Sequence, residues 1–149
     1  MIRAIAIGAA IALLPLAASA QSTFERFENV AESMNAMMND AFVAEIPALE
    51  GNLPDPEWDE PMRTAYTCMY DGYVERVGEE PVADMVTDME EMLETIDPAV
   101  LIEGGAAVEN PEGISDDEAL QIVTECGLMD VFMARMAESG AMQILMQQQ

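Results

Sequence analysis

Apolar residues recur every three to four positions along five stretches of this chain, and nowhere do they alternate one-in-two over a useful length. Phe24, Phe27, Ala31, Met34, Met38, Ala41 and Phe42 keep the helical period. Ser22 and Glu25 stand just ahead at capping-box spacing, so a first helix is predicted over 23–45. Pro47, Gly51, Pro54 and Pro56 then break the pattern and form a linker. The second helix is expected from about Asp59 and Pro61 to Gly78. Met62, Tyr66, Met69, Tyr73 and Val77 make one stripe on it. Ala65, Cys68 and Gly72 make another, of small residues that let a second backbone approach. This helix should be central, with two buried faces.

The third helix, from Pro81 to about Thr95, is the most amphipathic. Val82, Met85, Val86, Met89, Met92, Leu93 and Ile96 share a stripe opposite Asp84, Asp88, Glu91 and Glu94. Pro98, Gly104, Gly105, Pro111 and Gly113 mark a long connection, with one short turn expected at 99–102. Ser115 and Glu118 repeat the capping box and open a fourth helix carrying Leu120, Val123 and Cys126, ended by Gly127. A fifth stripe of Leu128, Met129, Phe132, Met133 and Met136 ends near Ser139. A short apolar tail runs from Met142 to Met146. The expected fold is all-α: a small irregular bundle of about five helices in a single acidic domain, 21–149.

The first 20 residues belong to something else. Arg3, an apolar run to Leu16 and the small residues Ala18 and Ala20 before Gln21 make the three-part pattern of a cleaved secretory leader. The run is shorter than the roughly 20 residues that span a bilayer. A periplasmic or extracellular location follows, with no membrane insertion once the leader is removed. In such a compartment an even cysteine count points to a disulfide, and two cysteines allow one pairing, Cys68–Cys126, between helices two and four.

Charge sharpens the picture. Past the leader the chain holds four arginines against 29 acids, a side-chain charge of −25, and neither lysine nor histidine. Serine–histidine and cysteine–histidine catalysis, histidine-ligated zinc, P-loops and Schiff-base lysines are therefore excluded. Nucleic acid and anionic lipid are repelled. A protein or cationic partner fits better, and no cofactor is indicated.

Three chemistries survive. Asp55, Glu57 and Asp59 alternate like the first ligands of a calcium loop, but Glu60 and Tyr66 stand where its glycine and last glutamate belong, leaving at most a weak contact. Met85, Met89, Met92 and Met129, Met133, Met136 set three thioethers on one face of each of two helices. Soft thioethers hold Cu(I), although the same spacing describes an ordinary buried stripe. Paired carboxylates could hydrolyse a glycoside in a pocket that raises one pKa. Tyr66, Tyr70 and Tyr73 are expected half-buried, and Trp58, in an acidic linker, is the aromatic expected to be exposed for a partner.

The reading that results is a non-catalytic binding or structural module of the cell envelope. Copper handling and a carboxylate-dependent hydrolase are the alternatives. Self-repulsion of a net charge of −25 weakens as salt shortens the Debye length from about 10 Å at 0.1 M to about 3 Å at 1 M. Thermal melts should therefore rise in temperature over that range; a flat or falling series counts against a strained, over-charged native state.

Overall fold

The computed structural model describes residues 21–98, 100 and 108–148. Both the leader, 1–20, and most of the turn expected at 99–102 lie outside them. Six helices stand among the described residues: α1 (Thr23–Glu45), α2 (Glu60–Val77), α3 (Glu79–Thr95), α4 (Asp116–Glu125), α5 (Leu128–Glu138) and α6 (Ala141–Gln147). No strand accompanies them.

Local chemistry sets their ends. Ser22 Oγ accepts from Glu25 N at 3.2 Å while Glu25 Oε2 accepts from Ser22 N at 2.7 Å, a closed capping box. Ser115 and Glu118 do the same for α4. Asp59 Oδ1 caps α2 through Met62 N at 2.9 Å. Gly78, at φ 84°, ends α2 and turns the chain directly into α3, a conformation that favours glycine. The third helix thus starts two residues before Pro81. That proline sits in the first turn, where its missing N–H costs nothing.

Packing centres on α2, which lies against α3, α4 and α5, while α1 lies against α3. Val82 and Val86 of α3 are fully buried, as is Leu49 in the short 3-10 turn (Pro47–Leu49) that follows α1. The acids Asp84, Asp88, Glu91 and Glu94 all face outward. α1 and α2 make little close backbone contact; aromatic rings fill the space between them. The Cys68–Cys126 disulfide joins α2 to the end of α4, with Cα atoms 5.7 Å apart. In the chain-entropy picture a loop of that length contributes about 4 kcal/mol at most.

Two expectations change. The apolar tail is a sixth helix, α6, seated by the fully buried Ala141 and packed on α5 and the 3-10 turn. On α4 Ala119 and Ile122 are buried, Val123 and Cys126 pack partly buried against the same core as expected, and Leu120 alone of the expected residues points out, at 64% exposure. The small-residue face of α2 does what its sequence implies: a Cβ on Gly72 would lie 3.0 Å from Ile122 Cγ2.

Ile122 is 2% exposed and has no room to retreat. Gly72→Leu should therefore cost about 1–3 kcal/mol in urea unfolding. Leucine is the better helix former by roughly 0.8 kcal/mol, so unchanged or improved stability would show that α4 does not sit this close.

Candidate functional site: a methionine-lined cleft

Along α1 the buried residues stop at Ala31 and resume only at Ala41. The stretch between presents Met34 and Met38, half-buried, into a cleft of about 610 Å³. α1 forms one wall, from Phe27 through Ala31, Met34 and Met38 to Phe42. Met62, Tyr66, Met69 and Tyr73 of α2 and Met85 and Met89 of α3 also line it. Leu128, Met129, Phe132 and Met136 of α5 complete the lining. Eight methionines border the space. The polar groups among them are Asn35, Asn39, Asp55, Glu109, Asn110 and Arg135.

Rings fix one end. Trp58 stacks on Tyr66 with centroids 4.1 Å apart and planes within 6°, and Phe27 meets both edge-on at 5.9 and 5.7 Å. Phe24 meets Tyr70 at 5.2 Å. Such pairs contribute about 0.5–1.5 kcal/mol each beyond their burial. Trp58, expected to be exposed, is only 7% so. Its backbone N donates to Glu32 Oε1 at 2.7 Å, while its indole N–H finds no acceptor among the described residues. The physical reason is tertiary: Phe24, Phe27 and Tyr66 build an aromatic pocket around an otherwise acidic linker. Tyr70 and Tyr73 are likewise more buried than expected. Burial raises the pKa of Tyr66, against the opposing charge of Arg135, and burial also raises Tyr73. Both present neutral hydroxyls.

Arg135 ties the linker down. Its Nε lies 3.0 Å from Asp59 Oδ2, and its Nη2 donates to the carbonyls of Asp55 and Glu57 at 2.9 Å each. Asp55 Oδ1 accepts from Glu57 N at 3.0 Å, and Asp59 also caps α2. Of the acids considered for calcium, Asp59 thus turns its carboxylate to a guanidinium, while Asp55 and Glu57 offer that guanidinium their backbone carbonyls. No group of three or more histidine, cysteine, aspartate or glutamate residues among the described ones could hold a metal ion. At the far end of the α1 wall, Asn39 Nδ2 donates to Pro54 O at 2.9 Å and holds the linker to α1.

The two methionine triplets divide. Met85, Met89, Met129 and Met136 meet at the cleft, whereas Met92 lines an adjoining groove and Met133 is 47% exposed. Met34, Met38, Met62 and Met69 join the first four; their spacing on α1 and α2 gave no triplet to notice. On α5 the stripe is genuine but nothing in that helix is buried, with Met129 55% and Phe132 38% exposed. Two carboxylates away from the cleft have shifted pKa values. Hydrogen bonds from Arg26 lower the pKa of Glu90, and hydrogen bonds from Ser115 lower that of Glu118. Lowering is the wrong direction for a general acid.

Comparisons with family models, with curated proteins and with solved structures find no match for this chain.

The Arg135 side chain is only 11% exposed and anchors three linker oxygens. Arg135→Met keeps the volume and removes the anchors, and should cost about 1.5–3 kcal/mol, the range for hydrogen bonds to a charged group. Trp58 is the single tryptophan, so its fluorescence should shift to the red as the linker loosens. An unshifted spectrum at unchanged stability would show that the ring cluster holds the linker unaided.

Proposed function

We propose that this protein is a non-catalytic binding module of the exported, oxidising compartment, and that the methionine-lined cleft takes up an apolar surface there. One observation carries the reading: Leu128, Met129, Phe132 and Met136 of the α5 stripe line an open cleft, and although Leu128 packs partly on the core no residue of that helix is fully buried. A contiguous exposed apolar surface of this kind in a small domain marks an interaction site. The volume falls within the roughly 300–1,000 Å³ of ligand pockets. Methionine suits the task, since its unbranched, polarisable side chain adapts to differently shaped partners. The disulfide, and the lack among the described residues of any helix long and apolar enough to cross a membrane, agree with an exported product. The leader pattern at Ala18 and Ala20 supplies the route.

Copper is the second reading, favoured by eight thioethers around one space. Leucine matches methionine in volume but offers no sulfur, so Met→Leu changes separate the two ideas.

N-phenyl-1-naphthylamine, a neutral apolar dye, should enter the cleft with a saturable rise in fluorescence. Phe132→Glu, at an exposed position that folding does not need, should weaken uptake about tenfold. Absence of saturable uptake would remove the binding-module reading. Replacing Met85, Met89, Met129 and Met136 with leucine should leave dye uptake intact. If the native protein also holds Cu(I) below micromolar against a competing chelator and the quadruple variant does not, copper is the better assignment.

A further inference from the structure

One wall of the cleft has the length of a four-turn helix, and its surroundings specify the charge of what fits. The α1 wall from Phe27 to Phe42 runs about four turns, or roughly 22 Å. α1 and α5 flank the space without close backbone contact between them, and α2 and α3 contribute the residues between. In a bundle that position belongs to another helix.

A second groove adjoins the first and shares Met85, Met89, Val108, Glu109 and Asn110 with it. Asp84, Asp88 and Glu112 also line that groove, so with Glu109 four carboxylates stand beside the methionine surface. Asp84, Asp88, Glu109 and Glu112 are exposed. Among the described residues no arginine lines this groove. Arg135, the only arginine among the described residues that line the cleft, is committed to Asp59 and the two linker carbonyls. Arg26 pairs with Glu90 and Arg63 with Glu28 on other surfaces.

Resting on the binding-module reading above, we propose that the cleft receives a basic amphipathic helix of a partner protein or peptide, about four turns long. The apolar face of that helix lies against the methionines, and its lysines or arginines meet Asp84, Asp88, Glu109 and Glu112. Helix-in-groove recognition works through anchors at i, i+3, i+4 and i+7, and a methionine surface accommodates variation among them. A second copy of this chain is a poor occupant because each carries the same large negative charge. An anionic amphiphile meets no uncommitted cation among the lining residues.

The test uses the disulfide-bonded protein from Gln21 onward and four probes. These are a 16-residue leucine–lysine peptide of helical amphipathic pattern, the same composition scrambled to remove the apolar face, a leucine–glutamate version, and N-phenyl-1-naphthylamine. Calorimetry should give saturable one-to-one binding of the first peptide, with helicity gained on mixing. The scrambled peptide should bind at least tenfold more weakly, and the leucine–glutamate peptide not at all. Asp84→Asn, Asp88→Asn and Glu112→Gln together, none of them lining the cleft itself, should weaken the basic peptide about tenfold, leave dye uptake unchanged and flatten the salt dependence of peptide binding. Phe132→Glu should weaken dye and peptide alike. Equal binding of scrambled and patterned peptides would show undirected charge attraction and overturn the proposal. Dye uptake without peptide binding overturns the helix but leaves the binding module standing. Failure of both probes removes both.

Discussion

The stacked rings of Trp58 and Tyr66, with Phe27 set edge-on against both, fix the distance between α1 and α2. Two helices packed through aliphatic side chains sit about 8–10 Å apart; a layer of aromatic rings keeps these two from that approach. α1 therefore rests on α3 and extends past α2 with the methionine side of its middle turns uncovered. On the other flank the disulfide sets the geometry. It brings the end of α4 to α2, and Gly127, in the left-handed conformation immediately after Cys126, turns the chain into α5. Gly72 allows Ile122 to seat at the same interface. A ring spacer on one side and a covalent tether on the other thus hold apart two apolar helices that the hydrophobic effect alone would bring together.

An open apolar cleft is ordinarily a liability, since a second molecule can cover it. The charge of this chain opposes that outcome. With 29 acids against five bases, two copies repel at any separation within a Debye length. The acids are placed where they serve this end: the outer face of α3 carries Asp84, Asp88, Glu91 and Glu94, all exposed. The same charge taxes the folded state, which explains why so small a domain uses a crosslink, rings in edge-on contact and paired arginines. Glu28, the only buried charged side chain among the described residues, is matched to Arg63 across the α1–α2 gap. A buried carboxylate without that partner would be strongly destabilising.

Much of the fold was legible because it is written in local chemistry. The bounds of α1 follow from a capping box and a proline, those of α2 from Asp59 and Gly78, and the disulfide from there being two cysteines. What could not be read is what lies opposite each face. Periodicity reports that a helix has an apolar side, and the stripes of α3 and α5 look alike in sequence. One carries Val82 and Val86 fully buried, and the other has no fully buried residue, Leu128 alone of its stripe packing partly on the core. The α6 segment was too short for its period to stand out from an apolar tail. Trp58 misled for the complementary reason: its neighbours Asp55, Glu57 and Asp59 suggest solvent, while the rings that enclose it come from α1 and α2. Arg135, nearly eighty residues from the linker it anchors, carried no local signal at all. Half of the cleft's methionines belonged to the noticed triplets. The rest lie on α1 and α2, where mixed stripes of phenylalanine, alanine and tyrosine concealed them.

The choice of methionine over leucine along this cleft joins the two arguments. Leucine would give a stiffer wall of similar volume with a similar preference for burial. Methionine loses less definition when half-exposed, because its three flexible torsions let it lie flat against neighbours or reach outward with little strain. A wall of such side chains can stay uncovered without demanding collapse, and can then mould itself to an incoming surface. The rings and the disulfide keep the backbone rigid while the methionines keep the lining soft. That division, a fixed frame with an adaptable surface, is what a binding cleft requires and what a close-packed core does not.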